Sequence, residues 1–240
     1  MTMGKRVALF RASEDAERSA ALLRSRGFGV VMAPVLDIVA TGAAAPTGPF
    51  DAAVATSANA VLHLAPAARA AIAGLPLYLV GCRAARAAAD AGFSRALAPA
   101  PDVAALSARL RERLAPPARV LYLAGRDRKD ALEAALAAIG AHTSVLETYA
   151  AQAREGWSEQ EAAELMGCAA ALHYSRRSAA LAASLAGRAG LAAHFATIAH
   201  VCLSEDVAAP LREAGWRQIV CADAPDETHL LMVLDQALRR

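Results

Sequence analysis

Short apolar runs alternate with amphipathic stretches along almost the whole chain. Val7-Ala8-Leu9-Phe10 reads as a strand. Glu14 to Arg26 reads as an amphipathic helix, with Ser13 as its N-cap and Gly27 as its stop. The same rhythm predicts strands at Val30–Met32, Ala52–Ala55, Leu77–Val80 and Val120–Leu123. Helices are predicted from Ala58, and over Arg83–Ala91, Leu106–Leu114 and Lys129–Ile139. Further on come strands at Ala169–His173, Ile198–Leu203 and Gln218–Cys221, with helices over Ser178–Leu185, Val207–Ala214 and Glu227–Leu238. Alternation at this spacing predicts an α/β fold with parallel sheets flanked by helices.

Two segments break the rhythm. Pro34 to Val39 runs into the turn-rich Thr41 to Pro49, and Val145 to Ala150 runs into Arg154-Glu155-Gly156. Both read as extended connectors. There is also an internal repeat. Val80-Gly81-Cys82, a helix, Ala91-Gly92-Phe93 and Pro101-Asp102 are echoed by Leu203-Ser204-Glu205, a helix, Ala214-Gly215-Trp216 and Pro225-Asp226. The offset is 123 residues at the glycine and 124 at the Pro-Asp, too long for a solenoid unit. The expectation is two similar lobes joined by a two-stranded linker, with a ligand cleft between them. One lobe, residues 1–33 and 154–240, would be discontinuous. Residues 34–48 and 145–153 would be the linkers, and 49–144 the second lobe.

Composition narrows the function classes. Hydrophobic residues make up 56%, but alanine inflates the figure and adds little buried area per residue. The formal net charge of +2 gives no nucleic-acid signature. Cys82, Cys168, Cys202 and Cys221 form no C-x-x-C pair, so reduced thiols are expected and no metal site. The N-terminal apolar run is too short for a signal peptide, and no segment approaches the roughly 20 apolar residues of a membrane span. A cytoplasmic monomer with no nucleic-acid or membrane partner is expected. There is no G-x-G-x-x-G after the first strand, no Walker A sequence, no G-x-S-x-G elbow and no H-E-x-x-H.

In open parallel sheets, ligands bind beyond the carboxyl ends of the strands. The residues there are Arg11 and Ser13; Thr56, Ser57 and Asn59; Gly81 and Arg83; Gly125, Arg126 and Arg128; Ser175, Arg176, Arg177 and Ser178; and Ser204 and Glu205. Helix N-termini favour anions, and arginine adds bidentate carboxylate or phosphate recognition. A multiply anionic ligand follows. The plainer reading makes the serines ordinary N-caps and the arginines solvated loop residues. Glu205-Asp206 most simply complements a helix dipole. Of the six histidines, His173 lies nearest the strand ends, and a structural role is the simpler expectation for it. Tyr149 in the second connector either faces the cleft or packs at a hinge.

The order and spacing of these motifs resemble the uroporphyrinogen-III synthase family over nearly the whole chain. The resemblance rests on Phe10-Arg11, Pro34-Val35, Phe50-Asp51 leading to Thr56-Ser57-Ala58-Asn59-Ala60-Val61, and Val80-Gly81. It continues through Leu123-Ala124-Gly125-Arg126-Asp127, Tyr149, Tyr174-Ser175-Arg176-Arg177-Ser178, Ser204 to Ala208 and Ala222 to Glu227.

The resemblance implies two α/β lobes and a cofactor-free cyclisation of hydroxymethylbilane, a linear tetrapyrrole with eight carboxylates. It maps Tyr149 onto the family's cleft tyrosine, assisting loss of the terminal hydroxyl. It maps Ser57, Ser175 and Ser204 onto cleft hydroxyls. One departure is visible: the family often has threonine near Ala84, so either that hydroxyl is dispensable or Arg83 takes over part of the contact. The competing expectation is a two-lobed cytoplasmic binding protein for a small anionic ligand, since fold alone does not separate the two.

Overall fold

The computed structural model describes residues 5–11 and 13–239, and for residues 13–15 only the backbone. The side chain of Ser13, expected as an N-cap, therefore lies outside the described residues. In chain order the elements are β1 (Arg6–Leu9), α1 (Ser13–Ser25), β2 (Gly29–Met32), β3 (Leu36–Ala40), β4 (Ala52–Ala55), α2 (Ala58–Leu62), α3 (Pro66–Ile72) and β5 (Leu77–Leu79). Then follow α4 (Cys82–Asp90), α5 (Val103–Arg113), β6 (Arg119–Gly125), α6 (Ala131–Ala138), β7 (His142–Ala153), α7 (Glu159–Leu165) and β8 (Cys168–His173). The last are α8 (Arg176–Arg188), α9 (Ala192–Phe195), β9 (Ala199–Cys202), α10 (Glu205–Glu213), β10 (Ile219–Cys221) and α11 (Glu227–Arg239). The expected parallel α/β alternation is present. The short helices α3, α7 and α9 were not legible as periodic segments, because each spans barely one or two turns.

The chain divides into two compact units, Met1–Asp37 with Ala153–Arg240, and Ile38–Gln152. In the first, five strands lie in the order β10-β9-β8-β1-β2. Every pairing in this sheet is parallel. Successive residues of β1 feed opposite faces: Val7 and Leu9 enter one buried cluster, Ala8 and Phe10 the other. That period of two, with every position buried, is why the run reads as continuously apolar.

The second unit has the order β3-β7-β6-β4-β5. Its β4 residues split the same way, Ala53 and Ala55 to one face and Ala52 and Val54 to the other. β4, β5, β6 and β7 are parallel. Thr41 donates its amide to Thr148 and Arg154 donates its own to Val35, so β3 runs antiparallel to β7.

The repeat has a structural basis inside each unit. α4 ends in Gly92 at φ +81°, and α10 ends in Gly215 at φ +83°. Left-handed backbone of this kind favours glycine. In each case the next amide reaches back to the helix, Phe93 to Ala88 at 3.0 Å and Trp216 to Leu211 at 3.1 Å. The aromatic rings are buried, which completes a Schellman stop. The chain then adds an outer strand. β10 pairs with β9, and Leu77–Ala96 and Val80–Ala100 bridges pair the equivalent segment with β5. Asp102 then caps α5 by accepting from the Ala105 amide at 2.8 Å, and Asp226 accepts from the His229 amide at 3.0 Å.

His173 and His200 form a buried pair in the first unit, 1% and 0% exposed. His200 Nε2 donates to the Phe195 carbonyl at 2.7 Å, so its Nδ1 accepts from His173 Nε2 at 3.0 Å. The rings lie among Phe10, Phe195 and Trp216. Burial pushes His173 well below its ordinary value and His200 down to about 4. His173 is thus structural and sealed from solvent, the simpler of its two readings.

Because the folded pKa is depressed, the unfolded chain binds the proton first as pH falls below 6.5. Stability should be full above pH 6.5 and decline from there toward pH 4. The contribution from His200 is on the order of 3 kcal/mol. Thermal midpoints across that range check this, and His200→Gln should flatten the acid limb.

Candidate active site

The strand orders fix where a site can form. In the second unit, chain order runs outward from β4 to β5, then returns past β4 to β6 and β7. The connections leaving β4 and β6 therefore turn to opposite faces of the sheet. A crevice opens between their carboxyl ends. In the first unit the same reversal falls between β1 and β8.

At the β4–β6 reversal lies a cavity of about 310 Å³. Thr56 and Ser57 line it from β4, Gly125, Asp127, Arg128 and Lys129 from β6 and its loop, and Tyr149 from β7. Ser57 caps α2 by accepting from the Asn59 amide at 3.2 Å. Thr56 shares a 3.1 Å hydrogen bond with the Tyr122 hydroxyl, which holds it against the wall.

Tyr149 is placed by an unusual fit. The β6–β7 register slips between Ala124 and Gly125, bringing Gly125 opposite Tyr149. A Cβ on Gly125 would lie 2.6 Å from Tyr149 Cζ and 2.8 Å from its hydroxyl. The outer end of the ring therefore occupies the space a side chain at Gly125 would fill, and a side chain there would displace it. His63 sits beside the ring at 6.2 Å between centroids. None of the described residues gives the Tyr149 hydroxyl a hydrogen bond. Tyr149 thus faces the cavity, and it does so from a strand within the sheet.

The arginines here are held by carboxylates. Arg128 pairs with Glu133 at 2.8 Å and Glu147 at 3.1 Å, and reaches the Gly125 and Arg126 carbonyls at 3.5 Å. Glu133, and then Glu147, hold its guanidinium still more firmly charged, against the opposing effect of burial. The more exposed Arg126 reaches Glu147 at 3.4 Å. Arg128 therefore lines the cavity more closely than Arg126 does.

A neighbouring hollow of about 290 Å³ shares Thr56 and Ser57 and is bounded by Val80 to Ala84. Gly81 caps α4 at φ +80° without any side-chain bond, so the first amides of α4 keep no side-chain acceptor. Ala84 is buried in the core below, and Arg83 is exposed and engaged by a neighbour. A larger hollow of about 390 Å³ lies under the second half of α5, between it and the β5 residues Tyr78 and Leu79, apart from the β4–β6 reversal.

In the first unit, Ser175 caps α8 by accepting from Ser178 at 3.2 Å, and Ser204 caps α10 by accepting from Val207 at 3.4 Å. The ordinary capping role thus holds for Ser57, Ser175 and Ser204 alike. Arg176 pairs with Asp206 at 2.8 Å, joining the starts of α8 and α10. Glu205 pairs with Arg212 along α10. Arg11 stacks on Tyr174, 4.1 Å from the ring centroid, and lies 3.8 Å from Glu227. Sequence reasoning left Glu227 and Ser19 out of the site, because their partners lie far away along the chain. Among the described residues, no cluster of three or more His, Cys, Asp or Glu could hold a metal ion.

The uroporphyrinogen-III synthase HemD family profile matches residues 17–232. The chain belongs to the uroporphyrinogen-III synthase family. No curated protein is matched by the chain. A solved uroporphyrinogen-III synthetase from Helicobacter pylori is 15% identical, with a TM-score of 0.57 over 97% of this chain and 99% of that one. At that identity it shows a shared fold. A Thermus thermophilus uroporphyrinogen III synthase is 18% identical over 98% and 99% of the two chains, with a TM-score of 0.46. A solute-binding protein from Burkholderia multivorans, 13% identical over 98% and 92%, reaches a TM-score of only 0.26 and lends the binding-protein expectation no weight. Among the described residues no helix is long and apolar enough to cross a membrane.

The Gly125–Tyr149 contact gives a steric test. Gly125→Ala should leave the fold intact and swing the tyrosine ring away, because overpacking it in place would cost roughly 1–3 kcal/mol. Activity should fall at least as far as in Tyr149→Phe, and combining the two should add little. Rates and thermal midpoints of the three variants check this.

Proposed function

We propose that this chain closes hydroxymethylbilane to uroporphyrinogen III. Family membership over residues 17–232 carries the reading. The cavity at the β4–β6 reversal supports it, since hydroxyls and a fixed cation suit a polycarboxylate with a departing hydroxyl. Such a protein acts as a cytoplasmic monomer on a small-molecule substrate, without a nucleic-acid or membrane partner.

The reaction begins with loss of the terminal hydroxymethyl oxygen as water. The pyrrole nitrogen supplies the electron pair and leaves an azafulvene cation. The substituted carbon of ring D attacks it to form a spiro intermediate. A bond of that intermediate breaks, ring D inverts, and closure with loss of a proton completes the macrocycle. Overall one water is lost and no oxidation state changes. In this reading Tyr149 donates a hydrogen bond to the leaving hydroxyl from its fixed place over Gly125. Arg11, Arg83, Arg126, Arg128 and Arg176 meet substrate carboxylates. The Gly81 turn and the helix starts at Thr56-Ser57-Asn59, Ser175-Ser178 and Ser204 add amide and hydroxyl contacts. Each unit contributes its own row of strand-end groups.

The demanding part is choosing which carbon attacks. Unassisted closure gives the type I isomer. Holding a flexible chain in one reacting geometry is worth about 7–11 kcal/mol in favourable cases, and it spreads over many contacts. Each capping serine should therefore matter little on its own.

Adding the purified protein to a bilane-generating reaction and measuring the isomer ratio tests the function. Type III should dominate; a ratio unchanged from the spontaneous reaction would refute it. In the same assay Tyr149→Phe should lower turnover about a hundredfold or less, because the leaving group is already activated. Binding should be similar. Wild-type turnover would leave Tyr149 a packing role only.

Affinity should also weaken as salt rises, because these charges are partly exposed. Equal affinity at low and high ionic strength would remove the arginines from substrate recognition.

A further inference from the structure

Where the second unit keeps a cavity at its strand reversal, the first unit has a tied knot of side chains. Tyr174 follows β8 and precedes the N-cap Ser175, just as Thr56 follows β4 and precedes the N-cap Ser57. Arg11 leaves β1 beside it, with its guanidinium carbon 4.1 Å from the Tyr174 ring centroid. Arg11 Nη1 donates to the Ser19 hydroxyl at 3.2 Å. Ser19 in turn donates to the Glu227 carboxylate. Tyr174 donates to the same carboxylate oxygen at 2.9 Å.

Ser19 is 0% exposed and lies on the inner face of α1. A hydroxyl buried there must be paired in both directions, and it is: it accepts from Arg11 and donates to Glu227. Glu227 opens α11, more than 200 positions away in the chain, and its side chain is only 22% exposed. Burial, more than any other influence, raises the Tyr174 phenol, which therefore stays a donor.

We propose that Glu227, through Ser19 and Tyr174, positions Arg11 to receive a substrate carboxylate at the carboxyl ends of β1 and β8. The proposal rests on the synthase reading above. An arginine side chain loses much rotamer freedom when it binds an anion. Here the ring beneath it, the hydroxyl at one nitrogen and the carboxylate beyond fix the guanidinium before substrate arrives. That preorganisation lowers the penalty of binding. Glu227, Ser19 and Tyr174 are positioning residues and do not meet the reacting atoms. Glu227 supplies charge and geometry together, so its amide isostere separates the two.

The test is steady-state formation of type III product from hydroxymethylbilane by the full chain. Wild type is compared with Glu227→Gln, Tyr174→Phe, Arg11→Gln and the Arg11→Gln/Glu227→Gln pair, with thermal midpoints measured alongside. Glu227→Gln should raise KM roughly tenfold, the effect of weakening hydrogen bonds to a charged group, and leave kcat within about twofold. Tyr174→Phe should move KM the same way by a smaller factor. The double variant should be no worse than Arg11→Gln, since Glu227 acts only through Arg11. A purely structural role would instead lower the thermal midpoint while leaving KM unchanged.

An unchanged KM in Glu227→Gln, or losses that multiply with those of Arg11→Gln, would overturn the proposal. If Glu227→Gln does not fold, Tyr174→Phe decides: a wild-type KM there overturns it. Failure of the functional reading looks different. Wild type itself would then leave only spontaneous type I product, and the proposal would fall with it.

Discussion

When the crossovers of a parallel sheet reverse direction, the loops leaving two adjacent strands turn to opposite faces, and neither covers the strand ends between them. Both sheets of this chain contain such a reversal, at β4–β6 and at β1–β8. The central groups read as functional depend on it. Thr56 and Ser57 stand across from Gly125 because β4 and β6 are neighbours whose loops diverge. Arg11 can stack on Tyr174 because β1 and β8 are neighbours for the same reason. The two units use the geometry differently, the second leaving a cavity and the first filling the place with a hydrogen-bonded knot.

A second regularity is that the strand-end cations are already paired. Arg11 faces Glu227, Arg126 and Arg128 share Glu147, and Arg176 meets Asp206. In the proposed function a substrate carboxylate joins or displaces an existing partner. It does not meet a bare charge. Pairing also keeps the unliganded surface from strong self-repulsion, consistent with the small formal net charge of +2. The gain from any single arginine is accordingly modest. Selectivity then comes from the number of contacts and their fixed directions.

The local grammar of the chain was largely legible. Serine N-caps at Ser57, Ser175 and Ser204, the glycine stops at Gly92 and Gly215, and the buried apolar strands follow rules that act within a few residues. The repeat around Gly92 and Gly215 encodes a Schellman stop followed by an outer strand, features with clear side-chain requirements. What escaped was whatever depends on pairing across the fold. The slip that seats Tyr149 on Gly125 arises from the register of two strands, which no local pattern specifies. Glu227 meets Ser19 across 208 positions. Arg128 stood among the strand-end residues but was not singled out, because its anchors Glu133 and Glu147 come from α6 and β7.

The central claim is that substrate engages the carboxyl ends of the strands at the two reversals. Hydrogen–deuterium exchange of the backbone amides, with and without bound tetrapyrrole, addresses it directly. The account predicts slowed exchange at residues 56–59, 81–83 and 125–128 in the second unit and at 174–178 in the first. Protection confined to the larger hollow beneath α5, around Leu97 and Arg109, with the strand ends unchanged, would contradict it.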